Sequence, residues 1–248
     1  MFYFRLNKIT IFDNREGRKF FLFGKSRKAE VKVMSFVTTE HTQLPDMDEL
    51  ANAIDPAEQK RLLEKAVAAV VSNRVLTTVE NVQDNHKLTF GDAGYVVYQS
   101  EKIPEHFDWL LLVMESDKKS REDAALVQEI LKDPEFEGFS KDLLSTLVKT
   151  PTPGFTAAVA IGKFAAQVLL EQGKKNKDDQ IGLLYMSLNR WEHYPHLERK
   201  RDDVHDLTKN IMVDYSLFGI EEERKQSPKT KTAKPKTSGK ASKPAKPK

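Results

Sequence analysis

Trp109-Leu110-Leu111-Leu112-Val113-Met114 is the stretch on which the fold turns. A strand with one wet face alternates apolar and polar residues, whereas this run has no polar position. It therefore predicts a strand covered on both faces. Upstream lie three more strand-like runs, at 95–100, 87–90 and 75–82, with Gly91 and Gly94 punctuating a hairpin turn. Before them stands a helix with a clear start: Asp55 can cap, Pro56 suits the first turn and Glu58 follows three residues after the cap. Leu62, Leu63, Ala66, Val67, Val70 and Val71 form its apolar stripe.

At the N-terminal side, Phe2, Phe4 and Leu6 alternate with Tyr3 and Arg5, and then Ile9 and Ile11 take the opposite parity. A bulge near Asn7-Lys8 reconciles the two registers. The segment 13–17 reads as a turn, followed by strands at 19–23 and 29–38. Downstream of the central run, Ser120 with Asp123 opens a helix that Pro134 stops, Ser140 caps a shorter one to Lys149, and 155–172 forms the most apolar helix, ended by Gly173. Strands at 181–191 and 211–220 close the body, with a charged loop between them, and Trp109 and Trp191 read as core residues within apolar strands. About nine strands occur in runs rather than alternating with helices. The expected class is α+β: mainly an antiparallel β-sandwich or barrel-like sheet with about four helical insertions.

The sequence has no cysteine, which excludes disulfides, thiol nucleophiles and thiolate metal sites. The opening residues lack the pattern of a secretory signal, and no apolar stretch looks as long as the roughly 20 residues that cross a bilayer. The expectation is a cytoplasmic protein with no membrane insertion. The formal charge of +3 hides a division. Of 40 basic and 37 acidic residues, nine lysines and no acid fall in 225–248, which leaves 31 basic against 37 acidic in 1–224. Residues 1–224 read as a single globular domain, and 225–248 as a disordered lysine/proline-rich tail, with too little apolar area to offset the entropy of ordering.

Few motifs carry chemistry. Gly24-Lys25-Ser26 lacks the glycine that a phosphate loop requires five residues earlier, where Lys19 stands, and precedes a strand rather than a helix. Gly91-Asp92-Ala93-Gly94 lacks the third glycine of a dinucleotide fingerprint, and no Gly-x-Ser-x-Gly elbow occurs. The loop 193–206 is the densest set of metal-capable side chains: His193, His196, Asp202, Asp203, His205 and Asp206. Imidazole nitrogens with carboxylate oxygens suit a divalent transition ion, and an open coordination position would activate water. Asp13, Glu16, Glu115 and Asp117 sit at expected strand ends, where carboxylates can hold calcium at a sandwich rim in the manner of a C2-like module.

The lysines of the tail are Lys225, Lys229, Lys231, Lys234, Lys236, Lys240, Lys243, Lys246 and Lys248, interspersed with Pro, Ala, Ser and Thr. In composition this segment resembles the tails of linker histones and of histone-like bacterial proteins, a resemblance that covers about a tenth of the chain. It implies contact with nucleic acid or another polyanion without sequence preference, since counterion release requires only positive charge near a phosphate backbone. The first reading is thus a non-enzymatic interaction protein, its body binding an unidentified partner and its tail a polyanion. The alternatives are a metal-dependent enzyme with its site in 193–206, or a calcium-dependent C2-like binding module.

Overall fold

The computed structural model describes residues 1–15, 28–72, 75–115, 123–176, 180–194 and 197–221. The expected strand at 19–23, Gly24-Lys25-Ser26 and the whole lysine-rich segment lie outside them. Among the described residues the order is β1 (Phe2–Ile11), β2 (Ala29–Thr39), α1 (Met47–Asn52), α2 (Pro56–Ser72), β3 (Val75–Val82), β4 (His86–Thr89), β5 (Tyr95–Ser100), β6 (His106–Glu115), α3 (Asp123–Leu131), α4 (Phe136–Leu147), α5 (Pro153–Asn176), β7 (Gln180–Asn189), α6 (Arg190–His193), β8 (Glu198–His205) and β9 (Ile211–Gly219). The strands form two antiparallel sheets, so the α+β class holds. Sheet A runs β4-β1-β9-β8 with β5 also on β1, and sheet B runs β3-β2-β6-β7.

The layers follow from the run that decided the fold. Trp109, Leu111 and Val113 of β6 face sheet A and join Phe2, Phe4, Leu6, Ile9, Val213, Tyr215 and Leu217 in one core. Leu110, Leu112 and Met114 face the other way, with Met34 and Phe36, and are covered by Ala166, Leu169 and Leu170 of α5. Beyond α5 lies a third apolar cluster made by α1 to α5. The order through the molecule is therefore sheet, sheet, helices. At the middle of the first core, Phe4 meets Trp109 edge-on at 4.6 Å, and the indole Nε1–H of Trp109 donates to Ser35 Oγ at 2.6 Å.

Several expectations need correction. Residues 87–90 and 95–100 do not make a hairpin with each other: β4 pairs with the second half of β1 and β5 with the first half. They are one interrupted strand lying along β1, and the break sits where β1 shifts register between Leu6 and Lys8, as the bulge near Asn7-Lys8 predicts. Gly94, at φ +70°, fits there because a Cβ would stand 2.5 Å from Asn7 Oδ1. Ser140 is inside α4, where its hydroxyl donates to Glu137 O at 2.8 Å rather than capping. Gly173 does not end α5, which runs on to Asn176.

The stretch from Pro153 to Glu171 is, by length and hydropathy, apolar enough to span a bilayer, contrary to the expectation that no stretch reaches that length. Of that stretch 44% is buried, between sheet B and the helical cluster.

The largest correction concerns 193–206. Its second half is not a loop but β8, which among the described residues is the edge strand of sheet A and pairs only with β9. Charges are tolerated on an edge strand because one side meets water, and they discourage pairing with foreign strands.

Candidate functional site

The strands give the sandwich two ends. At one lie the starts of β1, β6 and β8 and the ends of β2, β5, β7 and β9. At the other lie the ends of β1, β6 and β8 and the starts of β2, β7 and β9. This divides the expected metal ligands. His193 is at the first end and His205 and Asp206 are at the second, separated by the length of β8, roughly 25 Å for eight extended residues.

Asp206 has no lone pair to spare. Its Oδ1 accepts from the amides of Asn210 (2.9 Å) and Ile211 (3.0 Å), and its Oδ2 from those of Leu183 and Thr208 (both 2.9 Å) and from the Thr208 hydroxyl (2.5 Å). Burial pushes its pKa up, but these donors more than offset that and hold it below the usual carboxylate value. Asp203 and Asp214 share the ammonium of Lys8, at 3.6 and 2.7 Å. The ring of His205 stacks near Phe12 at 6.2 Å, and Asp202 is exposed. His196 lies outside the described residues. Among the described residues no group of three or more His, Asp or Glu is placed to hold a metal ion.

The rim carboxylates considered for calcium are placed differently again. Asp13 Oδ1 accepts from the Arg15 amide at 2.8 Å, Glu115 is buried at the end of β6, and Glu16 and Asp117 lie outside the described residues.

On the helical side of sheet B, a small crevice contains Thr38, Asp108, Lys163 and Tyr185. The Tyr185 hydroxyl donates to Asp108 Oδ1 at 2.7 Å, and Lys163 Nζ stands 4.1 Å from the tyrosine ring centroid. Burial, and then the Asp108 carboxylate, raise the Tyr185 pKa. The phenol is thereby held neutral as a donor, and the group pins α5 to the sheet.

The first end carries the features that packing leaves unused. β7 stops at Asn189, whose Oδ1 accepts from the Glu192 amide at 3.2 Å while Glu192 Oε2 accepts from the Asn189 amide at 3.0 Å. This capping box starts α6, a single helical turn. In a strand, residues two apart share a face; in a helix they lie about 200° apart. The helical turn therefore sends His193 inward and Trp191 outward. His193 is 1% exposed, 5.6 Å from the Phe2 ring and 6.1 Å from Phe107, with neither nitrogen hydrogen-bonded. Burial pushes its pKa down, partly opposed by the backbone of Asn189 and Pro104, which approach the ring without the geometry of a hydrogen bond, and by the Glu40 carboxylate.

Trp191 is 89% exposed, which overturns its assignment to the core. Its turn is nonetheless fixed. Arg190 N donates to Glu105 O at 2.8 Å, the Arg190 guanidinium pairs with Glu105 and Glu221, and Arg199 donates to the Glu192 carbonyl. Met1, Leu197 and Ile220 are also exposed at this end, joined through the bonds from Ile220 N to Met1 O and from Gly219 N to Leu197 O, both 2.8 Å. The signal that could have found the site is Asn189-x-x-Glu192, a capping-box pattern overlooked inside an apolar run.

No known family model matches the chain, and no curated protein matches it.

Proposed function

We propose that the protein is a non-enzymatic interaction protein in which a sandwich body binds a partner and the lysine-rich C-terminal segment contacts nucleic acid or another polyanion without sequence preference. The observation that carries this reading is the separation of charge along the chain: nine lysines and no acid in 225–248, against 31 basic and 37 acidic residues before it. A polyanion is repelled by the body and drawn to the segment, and each phosphate contacted releases a condensed counterion. The saturation of Asp206 and the distance between His193 and His205 give a metal-dependent reaction in 193–206 no comparable support.

Binding to duplex DNA measured against salt tests the reading. If four to nine lysines engage, log K against log salt slopes by about −4 to −8. Replacing all nine lysines by glutamine should abolish the binding. An unchanged affinity and slope in that variant would overturn the proposal.

A further inference from the structure

His193 buries an imidazole beside Phe2 and Phe107, and among the described residues neither of its nitrogens has a hydrogen-bond partner. A phenyl ring would fill such an aromatic pocket without stranding a polar atom. The imidazole differs from it in one respect: between pH 7 and 5 it is the side chain whose charge ordinarily changes.

The pocket offers the charged form little. Glu40, in the loop after β2, is the carboxylate whose charge favours an imidazolium, but its oxygens already accept from the amides of Glu105 (2.6 Å) and His106 (3.0 Å). The Arg190 guanidinium opposes the charge and holds Glu105 and Glu221 to itself. Glu192 is taken up in the capping box, and Arg199 of β8 donates to the Glu192 carbonyl. On β5 the Tyr98 hydroxyl pairs with Thr39 Oγ1 at 3.1 Å, and at β1 the N-terminal ammonium donates to Ile220 O at 2.6 Å. Two other imidazoles lie at this end: His41 stands 3.4 Å from Glu40, and His106 stacks on Phe155.

The element that carries His193 is small enough to move by itself. α6 is four residues long, joined to β6 by the bond from Arg190 N to Glu105 O and closed by the bond from Tyr194 N to Arg190 O at 3.0 Å. Its departure would break no strand pairing and would leave the contact of Phe4 with Trp109 in place. It would uncover Phe2, Phe107 and Gly219, where the Tyr194 ring packs so closely that a Cβ would stand 2.6 Å from Cε2. Leu197, beyond it, is held at φ +66°, a left-handed backbone conformation that costs free energy in the closed form. We propose that α6 with Tyr194 is an acid-operated latch, closed over Phe2 and Phe107 while His193 is neutral and released into solvent, with the two sheets still folded, when His193 takes up a proton. The sign follows from burial, which lowers the proton affinity of the closed form below that of an imidazole in water, so acid favours the open one.

Native-state hydrogen exchange of the full chain, corrected for the intrinsic effect of pH on amide exchange, reads the latch through the amides of Glu192 and Tyr194 and global unfolding through the ladder of β1 and β9. We expect protection at 192 and 194 to fall about five- to twenty-fivefold from pH 7 to pH 5, the upper limit being that of a proton taken up only by the open form at the ordinary value of 6.5. Exchange there should depend little on low urea, since a local opening exposes little surface, whereas the ladder amides follow the full slope. His193→Phe should abolish the pH effect, and His41→Gln and His106→Gln should keep it. The NMR titration of the His193 ring in the wild type, which needs no variant, should coincide with the loss of protection. A change below twofold at 192 and 194, a ring that titrates with protection intact, or a pH effect retained in His193→Phe would overturn the latch. If these amides share the urea slope of the ladder, His193 is freed only by global unfolding, which overturns it equally.

Discussion

The two ends of the sandwich are built to opposite standards. At the Asp206 end a single carboxylate takes up four amides and a hydroxyl, drawn from β7, the turn after β8 and the start of β9. At the Trp191 end an imidazole is buried with both nitrogens unpaired, and two residues away an indole stands in solvent. Buried polar groups cost free energy unless hydrogen-bonded, so the first arrangement contributes to folding and the second detracts from it. In the sequence, His193 and Asp206 belong to one expected ligand cluster. The difference shows that residue types alone do not mark a site: it is unused capacity, after packing and hydrogen bonding are complete, that leaves a group free for a partner.

The comparison can be broken at its strongest point by Asp206→Ala, which removes the acceptor of five hydrogen bonds at once. A loss of about 3–5 kcal/mol in urea unfolding is expected, since removing one member of a buried, charge-assisted network leaves the others unsatisfied. Asp206→Asn, which keeps an acceptor, should lose less. A change below about 1 kcal/mol for the alanine variant would show that this end is not the structural one.

Acid unfolding sharpens the same contrast, because the two ends lose stability in different windows. The unfolded imidazole takes up a proton below its ordinary value of 6.5, whereas folded His193, with its pKa depressed chiefly by burial, resists until lower pH. Stability should therefore fall as the pH drops from about 6.5 through the folded value. Asp206 is also depressed in the folded state, from 3.8, so its contribution is present above that value and lost as pH falls through the lower folded one. Melting temperatures across pH 7 to 3 should show both phases, and His193→Phe should remove the first. A single phase in the wild type, unchanged in that variant, would contradict the assignment.

The smallest effect is expected from Trp191→Ala, which should alter unfolding free energy by no more than about 0.5 kcal/mol, as for other exposed positions. A loss of more than about 1 kcal/mol would mean that the indole packs onto something, and the contrast between the ends would weaken.

Most of the layering was legible because burial on two faces leaves a mark that burial on one does not. The run from Trp109 to Met114, the alternation in Phe2, Phe4 and Leu6 with its parity change, and the stripe of α2 each reflect local geometry written directly in side-chain type. The errors arise where tertiary position overrides local pattern. β8 escaped notice because Arg199, Lys200, Arg201, Asp202 and Asp203 show no apolar alternation, and an edge strand needs none. β4 and β5 resembled a hairpin because sequence shows the turn between them and the bulge in β1, but not that both strands lie along β1 on either side of that bulge. Trp191 was misplaced by a change of period two residues earlier, where Asn189 ends a strand and begins a helical turn. Asp206 was legible as a polar residue but not as a saturated one, since its donors come from 183 as well as from 208–211.

The position of β9 also has a consequence in time. It lies between β1 and β8, pairing Phe2 with Gly219 and Ile11 with Ile211, so the two ends of the described chain become neighbours. All four strands of sheet B are complete by Asn189, and β4 and β5 can dress one side of β1 once Ser100 has been made. The other side of β1 waits until β9 is made, about 200 residues of synthesis after β1 itself, on the order of 10–40 s at ribosomal rates. During that interval β1 presents Phe2, Phe4, Leu6, Ile9 and Ile11 beside an open row of amides and carbonyls, an invitation to any passing strand. The nascent chain thus has a window of vulnerability that the finished protein does not show, and β9 is the segment that closes it.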